Sequence, residues 1–238
     1  MSDDPDGDEQ AKPYVGREPQ GRLVLLAGGT SAAGRAAARA LLAVGARVIV
    51  VGRDRSKLAD LAAELPGIHT EKCDLTDQSE VRDLVRGLHD EVGRVDGVLH
   101  LVGGWRGGGG LAGQTEADYR VLETSFTALR NTSRAFYDDL RASSDGRIAI
   151  VSSTAVLRPL AGGANYAAVK AASEAWTRAV AQGFAKAARD ENEPLRAASV
   201  IYRVTSLEGL EDDLAASFVG LFSHDASAIN DTVIDLEP

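Results

Sequence analysis

The sequence predicts an α/β fold, a single doubly wound domain in which a parallel sheet of about seven strands carries helices on both faces. Short apolar runs alternate with longer segments of helical periodicity along most of the chain. Most of the short runs are continuously apolar, which is typical of parallel strands buried on both faces. In such a Rossmann-like sheet, ligands bind beyond the carboxyl ends of the strands.

The elements follow one another in a regular order. The strand candidates are rich in branched apolar residues and cover 23–27, 47–51, 97–102, 147–152, 197–201 and 232–236. The helix candidates repeat apolar residues at helical spacing and cover 32–45, 56–65, 78–92, about 116–142 and 164–189. This order predicts right-handed crossovers between parallel strands.

Composition excludes several classes of protein. The 238 residues contain 35 acidic and 26 basic side chains, so the formal charge of −9 offers no general attraction to nucleic acid or anionic membranes. The single cysteine, Cys73, cannot form an internal disulfide, and the four histidines lack metal-ligand spacing. No apolar run approaches the roughly 20 residues of a membrane span, and the first ten residues do not resemble a signal peptide. We expect a cytoplasmic, metal-free protein.

The chain divides into a tail and one domain. Residues 1–20 are rich in Asp, Glu, Pro and Gly, which predicts a disordered acidic tail before a domain over 21–238. Within the domain, the low-complexity segment at 103–110, GGWRGGGG, directly follows a predicted strand, where loops tend to carry function.

The turn after the first strand has the composition of a phosphate-binding loop. Its sequence, GGTSAAG at 28–34, joins the first strand to the first helix. Small residues let the backbone approach a pyrophosphate, and the N–H groups of a helix start favour negative charge. Glycines alone also serve tight turns, but the position in the chain favours dinucleotide binding. The predicted contacts come from Gly28, Thr30, Ser31, Ala33 and Gly34.

The end of the second strand indicates which nicotinamide cofactor is bound. An acidic residue there would hold a ribose 2′-hydroxyl, whereas an arginine accommodates a 2′-phosphate. The strand ends in Gly52 followed by Arg53, about 20 residues past the loop. The sequence therefore predicts NADP(H) in preference to NAD(H). The alternative is a solvated Arg53 that starts a helix beside Asp54.

Three residues in the second half of the chain have the spacing of a proton-transfer site. Ser153 stands near the end of the fifth strand candidate, and Tyr166 and Lys170 follow on one face of a predicted helix. An ammonium beside a phenol stabilises the phenolate, which suits Tyr166 as general acid–base. Ser153 would then orient the substrate oxygen, and Lys170 would also reach the ribose of the cofactor.

Taken together, the loop, Arg53, Asp74, Ser153, Tyr166 and Lys170 resemble the short-chain dehydrogenase/reductase family over nearly the whole length from Arg22 to the last strand. The resemblance implies an oxidoreductase that transfers hydride between a nicotinamide and a carbonyl or alcohol carbon. It also implies a homodimer or homotetramer formed through the helices at about 116–142 and 165–189.

The same resemblance assigns further residues. Asp74 and Leu75 would contact the adenine, although Asp74 could instead be an ordinary helix cap. The small residues Val102, Gly103 and Gly104 would line the cofactor site after the fourth strand. Trp105 behind them either forms a stacking wall for the substrate or caps the loop on the surface.

This sequence departs from the family's pattern at several positions. Ala32 replaces a glycine of the phosphate loop, and its methyl group is costly only in a left-handed conformation. Ser125 falls where the family has a catalytic asparagine, and its hydroxyl could serve the same proton relay.

Tyr202 and Arg203 replace a Pro-Gly and are expected to reshape the nicotinamide pocket. Arg203 would read an acidic group on the substrate or else lie on the surface. His100, inside a strand, is expected to be a satisfied core histidine.

Two other functions stay open on these grounds. One is a weak or inactive homologue that binds a dinucleotide as a sensor or partner protein. The other is a non-redox dehydratase or epimerase that uses the same tyrosine and a tightly held cofactor.

Overall fold

The computed structural model describes residues 19–237. Most of the predicted acidic tail, residues 1–18, lies outside the described residues. The last two residues assigned to it adjoin the domain, because the backbone N–H of Arg22 donates to the carbonyl of Pro19 at 3.0 Å, and the neighbouring N–H of Gly21 donates to Gly45 at 2.8 Å.

Over the described residues the chain forms one parallel sheet, as predicted. Its strands are β1 (Leu23–Ala27), β2 (Arg47–Gly52), β3 (His69–Lys72), β4 (Gly97–His100), β5 (Gly146–Ser153), β6 (Ala197–Val204) and β7 (Thr232–Asp235). They lie in the order β3-β2-β1-β4-β5-β6-β7, and every pair is parallel.

Two strands differ from the sequence expectation. β3 has no apolar run to predict it, because its sequence HTEK lies at the sheet edge and is only partly buried. β6 continues to Val204, three residues beyond its predicted end, because it pairs with β5 as far as Ser153.

The first six helices fill the predicted segments, whereas the sequence does not predict the last two. In chain order, the helices are α1 (Ala32–Ala43), α2 (Arg55–Glu64), α3 (Gln78–Glu91), α4 (Glu116–Ala135), α5 (Tyr137–Ala142), α6 (Ala164–Asp190), α7 (Glu211–Gly220) and α8 (Ala226–Ile229). The predicted helix over 116–142 is divided at Phe136, a fully buried residue that closes α4 and precedes α5.

The helices lie on both faces of the sheet. The cores show α1, α2 and α7 on one face and α3, α4 and α6 on the other. The connections run outward from β1 to β3 and then return to β4, so the carboxyl ends of β1 and β4 flank the switch point where a crevice forms.

Candidate active site

The turn after β1 requires glycine at two positions. Gly28 has a φ of +76°, and a Cβ added there would lie 3.0 Å from the backbone nitrogen of Val102. A Cβ on Gly34 would lie 2.1 Å from the carbonyl oxygen of Gly29. Both glycines therefore permit close backbone approach, one between the β1 turn and the loop after β4, the other between α1 and its own turn.

The first turn of α1 is intact despite the alanine in the loop. Ser31 caps the helix by accepting a hydrogen bond from the N–H of Gly34 at 3.2 Å. Ala32 is the first helical residue, and among the described residues the non-glycine positions with positive φ are Asn192 and Asp231. The Ala32 methyl group therefore causes no left-handed strain, and the N–H groups of the helix start can bind an anion.

The crevice at the carboxyl edge contains two adjoining cavities. The large cavity has a volume of about 1120 Å³ and the small cavity about 380 Å³. Their shared walls are formed by Ser31, Leu101, Val102 and Gly103. A single elongated ligand could therefore pass from one cavity into the other.

The small cavity is lined by five predicted cofactor residues, which are Gly28, Thr30, Arg53, Asp74 and Leu75. Lys57 lines this cavity too. The sequence did not predict this role, although Lys57 lies one turn into α2 and so near Arg53.

Asp54, next to Arg53 in sequence, is not among the residues that line this cavity. Its carboxylate caps α2, accepting from the N–H groups of Ser56 at 2.9 Å and Lys57 at 3.2 Å. Two cations, Arg53 and Lys57, and one carboxylate, that of Asp74, line this end of the crevice.

Asp74 is held by a local turn. Its carboxylate accepts from the N–H of Thr76 at 2.9 Å and from its hydroxyl at 2.7 Å, and these bonds lower the pKa of Asp74. The cap of α3 is Asp77, so the cap interpretation of Asp74 is wrong. Asn131 on α4, also missed from sequence, braces this segment by donating to the carbonyls of Leu75 and Thr76, each at 3.0 Å.

The large cavity brings together Ser153, Tyr166 and Lys170. Ser153 ends β5, and its hydroxyl oxygen accepts from the N–H of Ala155 at 3.2 Å. The Lys170 ammonium lies 5.8 Å from the centre of the Tyr166 ring and donates to the carbonyl of Val151 at 2.7 Å. The three residues that the spacing selected thus share one wall.

Burial changes the pKa of the lysine in this wall. Desolvation lowers the pKa of Lys170 to about 8, and the carboxylate of Glu174, one helical turn further on, opposes that effect. The Lys170 side chain is therefore cationic at neutral pH and close to its titration range.

Ser125 lies beside the crevice. Its hydroxyl donates to the carbonyl of Leu122 at 2.7 Å, within α4, and Ser125 is not among the residues lining either cavity. Its own carbonyl accepts from Nε2 of His100 at 3.2 Å.

His100 is only half satisfied. It lines the large cavity, and its Nδ1 is buried with no hydrogen-bond partner among the described residues. The expectation of a satisfied core histidine is therefore wrong at one nitrogen.

Tyr202 and Arg203 do not reshape the pocket as expected. Because β6 continues through them, they point to opposite faces of the sheet. Tyr202 is fully buried in the core under α1 and α7, and neither residue lines the two cavities.

Arg203 has an intramolecular partner in place of the substrate acid we expected. Its guanidinium makes two hydrogen bonds to the carboxylate of Glu174, at 2.9 and 2.7 Å. The same carboxylate accepts from the Ser152 hydroxyl at 2.7 Å. Arg203 is 14% exposed at its side chain, so the surface alternative is wrong as well.

The exposed lining of the large cavity is mixed, because Arg158 and Glu208 are charged and other exposed residues are apolar. Gly104, Trp105 and Leu160 line this cavity, and 61% of Trp105 and 70% of Leu160 remain exposed. The loops that carry them are joined, because the N–H of Gly108 donates to the carbonyl of Gly162 at 2.8 Å.

No helix among residues 19–237 is long and apolar enough to cross a membrane. The same part of the chain contains no group of three or more His, Cys, Asp or Glu side chains that could hold a metal ion.

The fold defines a doubly wound α/β protein with a crevice at its switch point. A family model described as short chain dehydrogenase matches residues 22–188. The chain therefore belongs to the short-chain dehydrogenase/reductase family.

Individual relatives agree with that assignment. The chain is 31% identical over 151 residues to the uncharacterized oxidoreductase DltE of Bacillus subtilis (strain 168), a match covering 63% of this chain and 60% of that protein. The fold is similar to a short-chain type dehydrogenase/reductase from Mycobacterium ulcerans, with a TM-score of 0.79, 22% identity, and 91% and 88% of the two chains covered.

It is also similar to a gluconate 5-dehydrogenase from Burkholderia cenocepacia J2315 in complex with NADP and tartrate. There the TM-score is 0.77 at 18% identity, covering 92% of this chain and 94% of that one.

Proposed function

We propose that this protein is an NADP(H)-preferring oxidoreductase that transfers hydride between the nicotinamide and a carbonyl or alcohol carbon. One observation carries the proposal. A continuous crevice has Arg53 and Lys57 at one end and Ser153, Tyr166 and Lys170 at the other. The solved gluconate 5-dehydrogenase with this fold holds NADP, which supports the choice of cofactor.

The residues of the crevice fit a dinucleotide. The lack of a Cβ at Gly28 allows close approach beside Val102, and the start of α1 offers backbone N–H groups to the pyrophosphate. Arg53 and Lys57 would bind the 2′-phosphate, and Asp74 and Leu75 would contact the adenine.

The nicotinamide half would occupy the larger cavity. Val102, Gly103 and Gly104 form its small-residue wall, and Gly103 lies next to Lys170, since a Cβ added there would be 3.6 Å from Nζ. This proximity supports a role for the lysine in holding the ribose.

The bound cofactor supplies or accepts the hydride, and the protein manages the proton. Tyr166 gives a proton to the substrate oxygen during reduction and takes it back during oxidation. Ser153 can donate to the same oxygen, because its contact with Ala155 uses an acceptor lone pair and leaves the hydroxyl proton free. Lys170, oriented by the carbonyl of Val151, stabilises the phenolate of Tyr166.

The substrate would be a carbonyl compound with an apolar substituent. Trp105 and Leu160 line the cavity that holds Tyr166, and both are largely exposed. Burying such exposed apolar surface stabilises a complex, and an indole ring presents a flat wall for a planar group. This supports the stacking-wall interpretation of Trp105.

A binding titration tests the cofactor assignment. NADPH should quench tryptophan fluorescence at lower concentration than NADH. Arg53→Ser should raise the NADPH dissociation constant about 10-fold or more, the effect of one lost charge-assisted hydrogen bond, and should leave NADH binding unchanged.

The matched control is Arg55→Ser, because Arg55 is an exposed neighbour outside the lining of both cavities. Equal losses in the two variants would show a general charge effect. Failure to bind either dinucleotide would overturn the proposed function.

The cellular location and the oligomeric state of the protein are further predictions. We propose a cytoplasmic homodimer or homotetramer that assembles through α4 and α6. On α4, the exposed side chain of Val121 offers apolar surface for such a contact. Sedimentation velocity tests the assembly, and a monomer at micromolar concentration would contradict it.

A further inference from the structure

His100 occupies an unusual place for a titratable side chain. It is the last residue of β4 and is 5% exposed, yet it lines the same cavity as Tyr166 and Lys170. Burying an unpartnered polar atom costs free energy. The large cavity is therefore where a partner for its orphaned Nδ1 has to be sought.

The hydrogen bond on the other ring nitrogen fixes the tautomer. Nε2 lies 3.2 Å from the carbonyl oxygen of Ser125, and a carbonyl oxygen can only accept. Nε2 therefore carries the proton in neutral His100, and Nδ1 presents a bare lone pair. What Nδ1 needs is a hydrogen-bond donor.

The cavity supplies a cationic donor. Lys170 acts electrostatically on His100, and its ammonium has three protons, of which the bond to Val151 uses one. Burial first and the nearby lysine charge second lower the pKa of His100 to about 4, although the hydrogen bond to the Ser125 carbonyl opposes them. The imidazole is therefore neutral at pH 7 and suited to accept a hydrogen bond from a cation.

Ser125 is poorly placed to accept a hydrogen bond from that cation. Its hydroxyl proton is used by the carbonyl of Leu122, and its carbonyl is used by His100. The imidazole thus lies between the backbone of α4 and the cavity that Lys170 lines from α6.

In the described part of the structure Nδ1 of His100 has no hydrogen-bond partner. We propose that in solution a small rotation of the Lys170 side chain lets its ammonium donate a hydrogen bond to this Nδ1, and that His100 is a positioning residue for the catalytic lysine. The bond itself can be tested without turnover. Its effect on rate rests on the proposed oxidoreductase function, so the two can fail separately.

NMR of ¹⁵N-histidine-labelled protein tests the bond. The His100 signals are assigned by their loss in His100→Asn. They should show a neutral Nε2–H tautomer across about pH 6 to 8, and Nδ1 should carry the reduced ¹⁵N shift of a hydrogen-bonded acceptor. In Lys170→Met that signal should move towards the value of a free lone pair. An Nδ1 resonance that is the same in both proteins would overturn the proposal.

Two variants separate the roles of the two ring nitrogens. His100→Asn keeps an acceptor near the position of Nδ1 and loses the donor to Ser125, whereas His100→Gln keeps a donor near Nε2 and loses the acceptor. With a substrate found by screening, His100→Gln should lower kcat about 10-fold with little change in KM, as expected for one hydrogen bond to a charged group, and His100→Asn should stay within about 3-fold.

The pH profile gives a readout that a purely structural role would not move. Loss of an acceptor beside the ammonium favours neutral Lys170, so in His100→Gln the alkaline limb of kcat for carbonyl reduction should shift to lower pH. The titratable groups around the Lys170 ammonium are Glu174, which acts on its pKa, and Tyr166, whose ring centre lies 5.8 Å away. A larger loss in His100→Asn than in His100→Gln would assign the role to the Ser125 contact instead and contradict the proposal.

Discussion

Helix α6 carries two charges that are one turn apart and largely withdrawn from water, and they are treated differently. The described contacts of the Lys170 ammonium include one neutral acceptor, the carbonyl of Val151, and burial lowers its pKa to about 8. Glu174 accepts from Arg203 twice and from Ser152 once. Burial alone would raise the pKa of Glu174, but those bonds outweigh it and lower the pKa.

The difference separates a reactive charge from a structural one. Lys170 faces the large cavity with protons to spare, so it can act on a ligand. The carboxylate of Glu174 is saturated by its partners, so it ties α6 to β5 and β6 beneath the site. Partners, more than depth, decide whether a buried charge remains available.

The largest expected effect is at the reactive end of the helix. Tyr166→Phe should lower kcat by roughly 10² to 10⁴, the usual contribution of a general acid–base, while the melting temperature stays unchanged. Initial rates on a substrate found by screening would measure this. Tyr119→Phe, on α4 and outside the lining of both cavities, is the control. A full rate in Tyr166→Phe would remove the tyrosine from the mechanism.

Removing the partner of Glu174, the structural charge, should lower the stability of the fold. Arg203→Ala leaves Glu174 withdrawn from water without its cation and should lower the free energy of unfolding by about 2–4 kcal/mol. Urea denaturation measures it. Lys186→Ala, which removes an exposed ion pair with Asp190 on the same helix, should cost less than about 0.5 kcal/mol. Similar losses in both variants would show that the Glu174–Arg203 pair stabilises the fold no more than an exposed ion pair does.

The smallest effect has the opposite sign. Because the folded pKa of Lys170, about 8, lies below that of an unfolded lysine, near about 10.4, the fold disfavours the cation. That penalty is fully present below pH 8 and fades as pH rises towards the unfolded value. Lys170→Met should therefore raise the free energy of unfolding by about 1–2 kcal/mol at pH 7, with little gain near pH 10.

Urea titrations of the wild type and of Lys170→Met at the two pH values measure that difference. A variant that is less stable than the wild type at pH 7 would show that the bond to Val151 stabilises the fold more than desolvation of the ammonium destabilises it.

The sequence by itself determined the features that depend on neighbours along the chain. Apolar runs predicted six of the strands, and the residues of the β1 turn and the spacing from Ser153 to Lys170 predicted what now lines one crevice. These features can be predicted because the burial of a strand, the backbone of a turn and the face of a helix each depend on residues that are close together in the sequence.

Only the tertiary structure decided the features that depend on residues distant in sequence. β3 is polar and exists because it pairs with β2. Arg203 is bound by Glu174, 29 positions away. The Nε2 of His100 is bound to the carbonyl of Ser125, 25 positions away, because β4 and α4 meet there. Hydrogen bonds between side chains that only folding brings together leave no pattern in a single sequence, so the partners of buried charges had to come from the structure.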